Sequence, residues 1–427
     1  MILTVVLCFF VLLLTGMPIG FILGIAGVVG LYGIGGDYMM VMGAKRFFEG
    51  LDLFTFMAMP FFILAGEIMN RSGITVRLIQ FAEALVGYLR GGLAQSNMLA
   101  SVLFAGMTGA AVSDAAAFGN TLVPAMVKKG YNRPFACAVT AAGSIIGPTI
   151  PPSNLMVIYG SLMGVSISGL FAAGIIPGLL IAVTCMAMIA AFGRRWKLPK
   201  DKRGPSLRHI LSSFRSSLLA IIMPVIILGS ILAGITTPTE AAAVAVAYAL
   251  FVGTVIYRNI SPKDLLDMLV RTAKITGVVF LIIASASIVG WWMTFNQIPQ
   301  MIADLFLGIS SDPAIITLLI LLMLITIGMF MDINAVLIIL APVLVPLTTA
   351  IGMDPIHAGI MIILALNISL MTPPVGACLF VLSSVTGEKV EKISVALWPF
   401  LLVQLTVLIL IAFWSGLTLT IPRYLGF

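Results

Sequence analysis

Ten apolar stretches, each long enough to cross a bilayer, leave this chain almost no residues for anything else. They lie at about 2–15, 18–35, 54–70, 134–163, 168–193, 218–234, 239–257, 275–293, 357–383 and 395–417. A membrane-spanning helix needs roughly 20 mostly apolar residues. Of the 427 residues 61% are hydrophobic and only 9% charged, far from the roughly half-apolar make-up of a soluble domain. The expected fold class is therefore an all-α polytopic membrane protein, with no soluble catalytic domain.

Two further apolar segments, about 91–128 and 313–351, have a different character. Only 38 positions separate Arg90 from Lys128 (128 − 90), whereas two crossings and a turn need roughly 40 or more. A re-entrant hairpin is expected in each, turning at Gly106–Asp114 and at Gly328–Asn334. Irregular backbone at membrane depth survives only inside protein or beside a watery cavity, so both turns should line a site.

The formal net charge of +7 does not form a nucleic-acid patch. Arg71, Arg77 and Arg90, then Lys128, Lys129 and Arg133, the dense run Arg194–Arg215, the group Arg258–Lys274, and Lys389 with Lys392 all fall on one face if ten spans alternate and the hairpins return. That face is the cytoplasm by the positive-inside rule, and both termini lie outside. Lys45 and Arg46 are the exceptions, on a short amphipathic segment. Met1–Thr15 lacks a basic n-region and a cleavage site, and reads as a retained helix. Cys8, Cys137, Cys185 and Cys378 sit in apolar surroundings without metal or redox spacing.

The helix breakers recur at one offset. Pro124 and Pro346, Gly130 and Gly352, Pro151-Pro152 and Pro373-Pro374, and Pro177 and Pro399 are each 222 apart (373 − 151, for example). The chain therefore divides into repeats at 1–193 and 218–427 joined by a basic linker at 194–217. With an odd number of crossings each, the repeats face opposite ways, as in inverted-repeat transporters. Substrate and ions should bind at the interrupted helices, about 147–154 and 369–376.

A proline pair removes two amide donors and breaks the helix, leaving carbonyls for a hard cation such as sodium. The candidate cation ligands are Gly106, Thr108, Gly109, Ser113, Asp114, Thr149 and Ser153 in the first half, and Gly328, Asp332, Asn334, Ser369, Thr372 and Gly376 in the second. Asn154, Pro151, Pro152, Pro373 and Pro374 are candidates for contact with substrate. Intramembrane carboxylates are functional candidates by default, but Asp is also a preferred N-cap, and Asp114 and Asp332 fit either role. Thr237-Pro-Thr-Glu240 has capping-box spacing. Glu67 reads as an interface charge, His357 as a solvated loop residue, and Trp291 and Trp292 as part of an aromatic belt. No Lys or Arg lies between Ala136 and Gly193, so an anionic solute would rest on helix N-termini and bound cations. There is no P-loop, Ser-His-Asp set or HExxH motif to support enzyme chemistry.

The stretches Phe104–Asp114, Pro124–Tyr131, Ile150–Ser153, Leu170–Gly178, Thr237–Glu240 and Thr372–Gly376, in that order, resemble the large membrane subunit of tripartite ATP-independent periplasmic (TRAP) transporters. The resemblance implies an elevator-type carrier in the bacterial inner membrane, working with a small four-helix membrane subunit and a periplasmic substrate-binding protein. It implies sodium-coupled import of a carboxylate, sialic acid first and C4-dicarboxylate next, with sodium ions and no other cofactor. The competing readings are a sodium- or proton-coupled anion carrier that needs no binding protein, and a channel or membrane scaffold.

Overall fold

The computed structural model describes residues 2–107, 109–200, 204 and 206–427. Among them the chain is helical, with no strand. The first half runs α1 (Ile2–Leu14), α2 (Ile19–Glu49), α3 (Ala58–Arg71), α4 (Ile74–Val86), α5 (Gly92–Phe104), α6 (Ala111–Lys128), α7 (Arg133–Ser144), α8 (Ile146–Thr149), α9 (Asn154–Met163) and α10 (Ile167–Phe192). The second runs α11 (Leu207–Leu232), α12 (Pro238–Phe251), α13 (Pro262–Phe295), α14 (Ile298–Ile309), α15 (Pro313–Gly328), α16 (Ile333–Ala350), α17 (Pro355–Ser369), α18 (Ala377–Thr386), α19 (Val390–Phe413) and α20 (Gly416–Tyr424).

Helix starts keep the sequence offset: α6 to α16 and α7 to α17 are both 222 residues (333 − 111 and 355 − 133). The packing repeats as well. α2 lies along α13 while α3 lies along α12; α6 packs on α18 while α16 packs on α9; α7 packs on α19 while α17 packs on α10. Where two helices pack together, their equivalents in the other half pack together as well.

Both expected hairpins are helix-turn-helix units, α5–α6 and α15–α16. At about 1.5 Å per residue, the 13 residues of α5 reach roughly 20 Å, short of the roughly 30 Å hydrocarbon core. Eight helical stretches among the described residues are long and apolar enough to cross a membrane, α16 included. α1 and α3, expected as spans, are shorter, at 13 and 14 residues. α2 is kinked at Gly35–Gly36, where the apolar stretch ends, and continues to the segment carrying Lys45 and Arg46. Thr237 and Glu240 form the expected capping box at the start of α12.

Along α2, Gly20, Gly24, Gly27 and Gly30 recur every three or four residues, and Leu281, Ser285, Ile288 and Trp292 of α13 press into that stripe. Small residues let two membrane helices approach closely and gain van der Waals contact. Trp292 is accordingly buried in the α2–α13 seam, which corrects its placement in an aromatic belt; Trp291 beside it is stacked on by Arg46. Outward faces carry exposed apolar side chains such as Leu14, Val41, Leu322 and Val395, suited to lipid. Because a side chain at Gly30 would meet the Trp292 ring at 2.8 Å, Gly30→Val is expected to cost about 1–3 kcal/mol. A lower unfolding midpoint in detergent checks this; an unchanged midpoint would contradict the seam.

Candidate functional site

Both broken helices form where the proline pairs fall. α7 and α8 end at Thr149 and α9 begins at Asn154; α17 ends at Ser369 and α18 begins at Ala377. Within a helix each proline would lack its amide donor and clash with the carbonyl four residues back, so the chain bends there instead. The Pro151–Pro152 and Pro373–Pro374 peptide bonds are both cis.

Each bend is covered by a hairpin turn. Gly106 (φ +85°) and Gly109 (φ +60°) take left-handed backbone that lets the first turn settle on the bend. A Cβ at either would come within 3.0 Å of the Pro151 or Pro152 carbonyl oxygen. Thr108, between them, lies outside the described residues. In the second half, Gly328 packs directly on the Ser369 side chain.

The two carboxylates, equivalent in the sequence reading, are not equivalent in space. Asp332 caps α16, accepting from the amides of Asn334 (3.0 Å) and Ala335 (3.2 Å), and Asn334 Nδ2 donates to the same oxygen (3.1 Å). Asp332 is exposed. Asp114 is buried in the first turn of α6, whose N-cap position is held by Ala110; its carboxylate lies where a Cβ on Gly147 would be. Residues separated by 33 positions (147 − 114) are thereby joined across hairpin and broken helix.

Buried oxygens gather at the first bend. Among the described residues, Ser153 Oγ, Asn154 Oδ1 and Asn367 Oδ1 have no hydrogen-bond partner. Asn367 Nδ2 donates to Thr149 Oγ1 (3.2 Å), linking the two broken helices, and Thr149 Oγ1 donates to the Ile145 carbonyl (2.8 Å). Ser369 and Thr372 donate to the carbonyls of Leu366 and Ile368, which leaves their oxygens as acceptors. Buried acceptors without donors suit a hard cation, since leaving one unmatched costs about 1–3 kcal/mol. Asn367 went unnoticed in the sequence because it lies in an otherwise apolar run, Ile360–Ile368; a lone amide there is the signal.

A cavity of about 490 Å³ joins the two halves, within the usual range for small-molecule sites. Its wall includes Gly109–Ser113 of the first turn, Gly328–Asn334 of the second, and Asn154. α3 and α13 close it from the side with Ile63, Glu67, Ile275 and Val279. Four helix N-termini face it, those of α6, α9, α16 and α18, through Ala111, Asn154, Ile333 and Ala377, and that of α16 is already capped by Asp332. Among the described residues no Lys or Arg lines it, and its charged liners are Glu67 and Asp332. Helix N-termini carry partial positive charge and exposed amides, a setting for an anion. Thr149, Ser153, Ser369 and Asp114 lie outside this wall, around the bends. Pro151, Pro152, Pro373, Pro374, Thr372 and Gly376 belong to the bends as well and do not line the cavity.

His357 is buried rather than solvated: it begins α17, and its ring meets Thr418 Oγ1 at 2.7 Å and the Ala412 carbonyl at 3.4 Å. This contact ties α17 to the C-terminal helix α20, which packing alone could not announce in the sequence. Glu67 pairs with Arg271 (3.3 Å) and also lines the cavity.

The family model described as the tripartite ATP-independent periplasmic transporter, DctM component, matches residues 6–417. The chain is 40% identical over 420 residues to the sialic acid TRAP transporter large permease protein SiaM of Vibrio cholerae, covering 97% of each. It is 38% identical to the C4-dicarboxylate TRAP transporter large permease protein DctM of Pseudomonas aeruginosa, over 95% of this chain and 94% of that one. The crystal structure of the YdaH transporter of Alcanivorax borkumensis matches with a TM-score of 0.60 at 15% identity, over 89% of this chain and 88% of that one, a likeness of fold. The chain belongs to the DctM family of TRAP transporter large permeases, and is a transporter subunit rather than an enzyme.

Proposed function

We propose that this chain is the sodium-coupled carrier subunit of a TRAP transporter in the bacterial inner membrane. It imports a carboxylate handed over by a periplasmic binding protein, and it works beside a small four-helix membrane subunit. The observation that carries the reading is a cavity without Lys or Arg among the described residues, faced by four helix N-termini, of which only that of α16 carries a carboxylate cap, and backed by buried, donorless oxygens. The helix ends hold the anion, and cations at the bends neutralise the acidic wall. Relatives are named for sialic acid, C4-dicarboxylates and the sulfonate isethionate, so an organic anion is their shared chemistry, and a carboxylate, sialic acid first, is the favoured candidate.

The repeats at 1–193 and 218–427 are inverted in this reading, and the linker 194–217 is cytoplasmic. The hairpins and broken helices (α5–α10 and α15–α19) form the moving body of an elevator. α2, α3, α12 and α13 form the wall it moves along, with their outer faces toward lipid and the small subunit.

Uptake of radiolabelled sialic acid into proteoliposomes holding the chain and its small partner tests the reading. Uptake that requires both an inward sodium gradient and added binding protein is expected. Uptake with sodium alone would mark a free-standing carrier, and no uptake of sialic acid or C4-dicarboxylates would refute the reading. Asp114→Asn is expected to raise the sodium concentration for half-maximal uptake about tenfold, or ~1.4 kcal/mol of ion affinity; an unchanged sodium curve would remove Asp114 from the ion site. Replacing Pro151 and Pro152 together with alanine is expected to abolish uptake while leaving the purified yield intact. Full activity in that variant would contradict the role of the bend.

A further inference from the structure

Glu67 belongs to two cavities. On one side it closes the central cavity; on the other it lines a second one, of about 420 Å³, with Asn70, Arg71, Asp264, Asp267 and Arg271. Along α3 the lining residues Met59, Ile63, Glu67 and Arg71 are four apart, and along α13 Met268, Arg271, Ile275 and Val279 are three or four apart. Residues at that spacing share one helix face, so each helix turns a single face to both cavities. The two cavities follow one another along that face, from the bends toward the Arg71 end of α3, and mark out a candidate path.

Two ion pairs cross the path. Arg71 Nη2 meets Asp264 Oδ1 at 2.6 Å, and Asp264 also completes a capping box with Ser261 at the start of α13. The Ser261 amide (3.1 Å) and hydroxyl (2.7 Å) bind its other oxygen, Oδ2, so this pair is anchored. Arg271 Nε meets Glu67 Oε1 at 3.3 Å, and the two differ in setting: the Glu67 side chain is 14% exposed and the Arg271 side chain 65%. A carboxylate that is mostly buried is poorly screened by water and salt. Without Arg271, Glu67 would repel an anion at the point where the cavities join.

We propose that the Glu67–Arg271 pair is the cytoplasmic throat of the transport path, and that Arg271 is a transient binding site for the carboxylate of the departing solute, which displaces Glu67. The inference rests on the carrier reading above and adds the exit route. Exchanging one carboxylate for another on a guanidinium conserves the charge-assisted hydrogen bonds of Arg271, so the passing anion is met by a cation as it crosses. Arg271 faces water, where ion pairs are weak, and the second cavity carries three acids against two bases, Glu67, Asp264 and Asp267 against Arg71 and Arg271. An anion that reaches it is therefore released rather than held.

The experiment measures sodium-driven uptake by the purified complex in proteoliposomes, with radiolabelled sialic acid as solute and binding protein supplied. It compares wild type with R271Q, R271K, E67Q/R271Q and the exchanged pair E67R/R271E. R271Q is expected to slow uptake about tenfold at an unchanged sodium requirement. E67Q/R271Q should recover only part of the rate, because the unscreened acid is gone but the guanidinium that takes the solute carboxylate is gone with it, and R271K should stay within about threefold of wild type. If E67Q/R271Q remains as slow as R271Q while E67R/R271E recovers, the pair is a strut between α3 and α13 and the inference is overturned. Wild-type rates in every variant overturn it too. Absence of uptake by the wild-type complex of both sialic acid and C4-dicarboxylates refutes the carrier reading itself, an outcome no variant can mimic.

Discussion

Two proline pairs set inside an apolar interior create backbone carbonyls that lipid cannot satisfy. In the hydrocarbon core an unmatched polar group costs several kcal/mol, so a bare bend at Pro151-Pro152 or Pro373-Pro374 is not a stable structure. A hairpin turn has the same defect. Here each turn is laid on a bend, Gly106 and Gly109 on the first and Gly328 on the second, and the irregular segments cover one another. The site therefore forms where the two kinds of irregular backbone meet.

This arrangement brings opposite charges into the same few residues. Asn154 faces the solute cavity at the start of α9, and Ser153 next to it is turned into the buried cluster with Asn367. A cation at that cluster and an anion at the helix end would be neighbours along one stretch of backbone. In the proposed mechanism, each would lower the energy of the other in a medium of low dielectric, which is a physical root for coupling without a dedicated basic side chain.

Much of the fold was legible because its determinants are coarse: apolar length, proline position and charge asymmetry. The kink of α2 at Gly35–Gly36 and the breaks after Thr149 and Ser369 fall where the apolar runs and proline pairs placed them. Residues whose roles depend on tertiary neighbours were not legible. His357 follows Asp354-Pro355 and looks like a loop residue, but Asp354 caps α17 and draws the histidine into the interior against α20. Trp292 looks like an interface anchor until the glycine stripe of α2 provides a slot for it. Asp114 and Asp332 look alike in sequence, and only the turn conformations separate a buried carboxylate from an exposed cap. Glu67 was legible as an interface charge, while its place between two cavities required both α3 and α13.

The crossed packing of the helices has a consequence for how such a chain can arise and mature. α2 is covered by α13, α3 by α12, α6 by α18 and α7 by α19, so most of the close partners of the first half are supplied by the second. During synthesis the first repeat must wait in the membrane with its glycine stripe and its proline bend uncovered until the second emerges. In the inverted-repeat reading proposed above, a chain holding one repeat alone would reach this architecture as a pair of copies facing opposite ways, each completing the other.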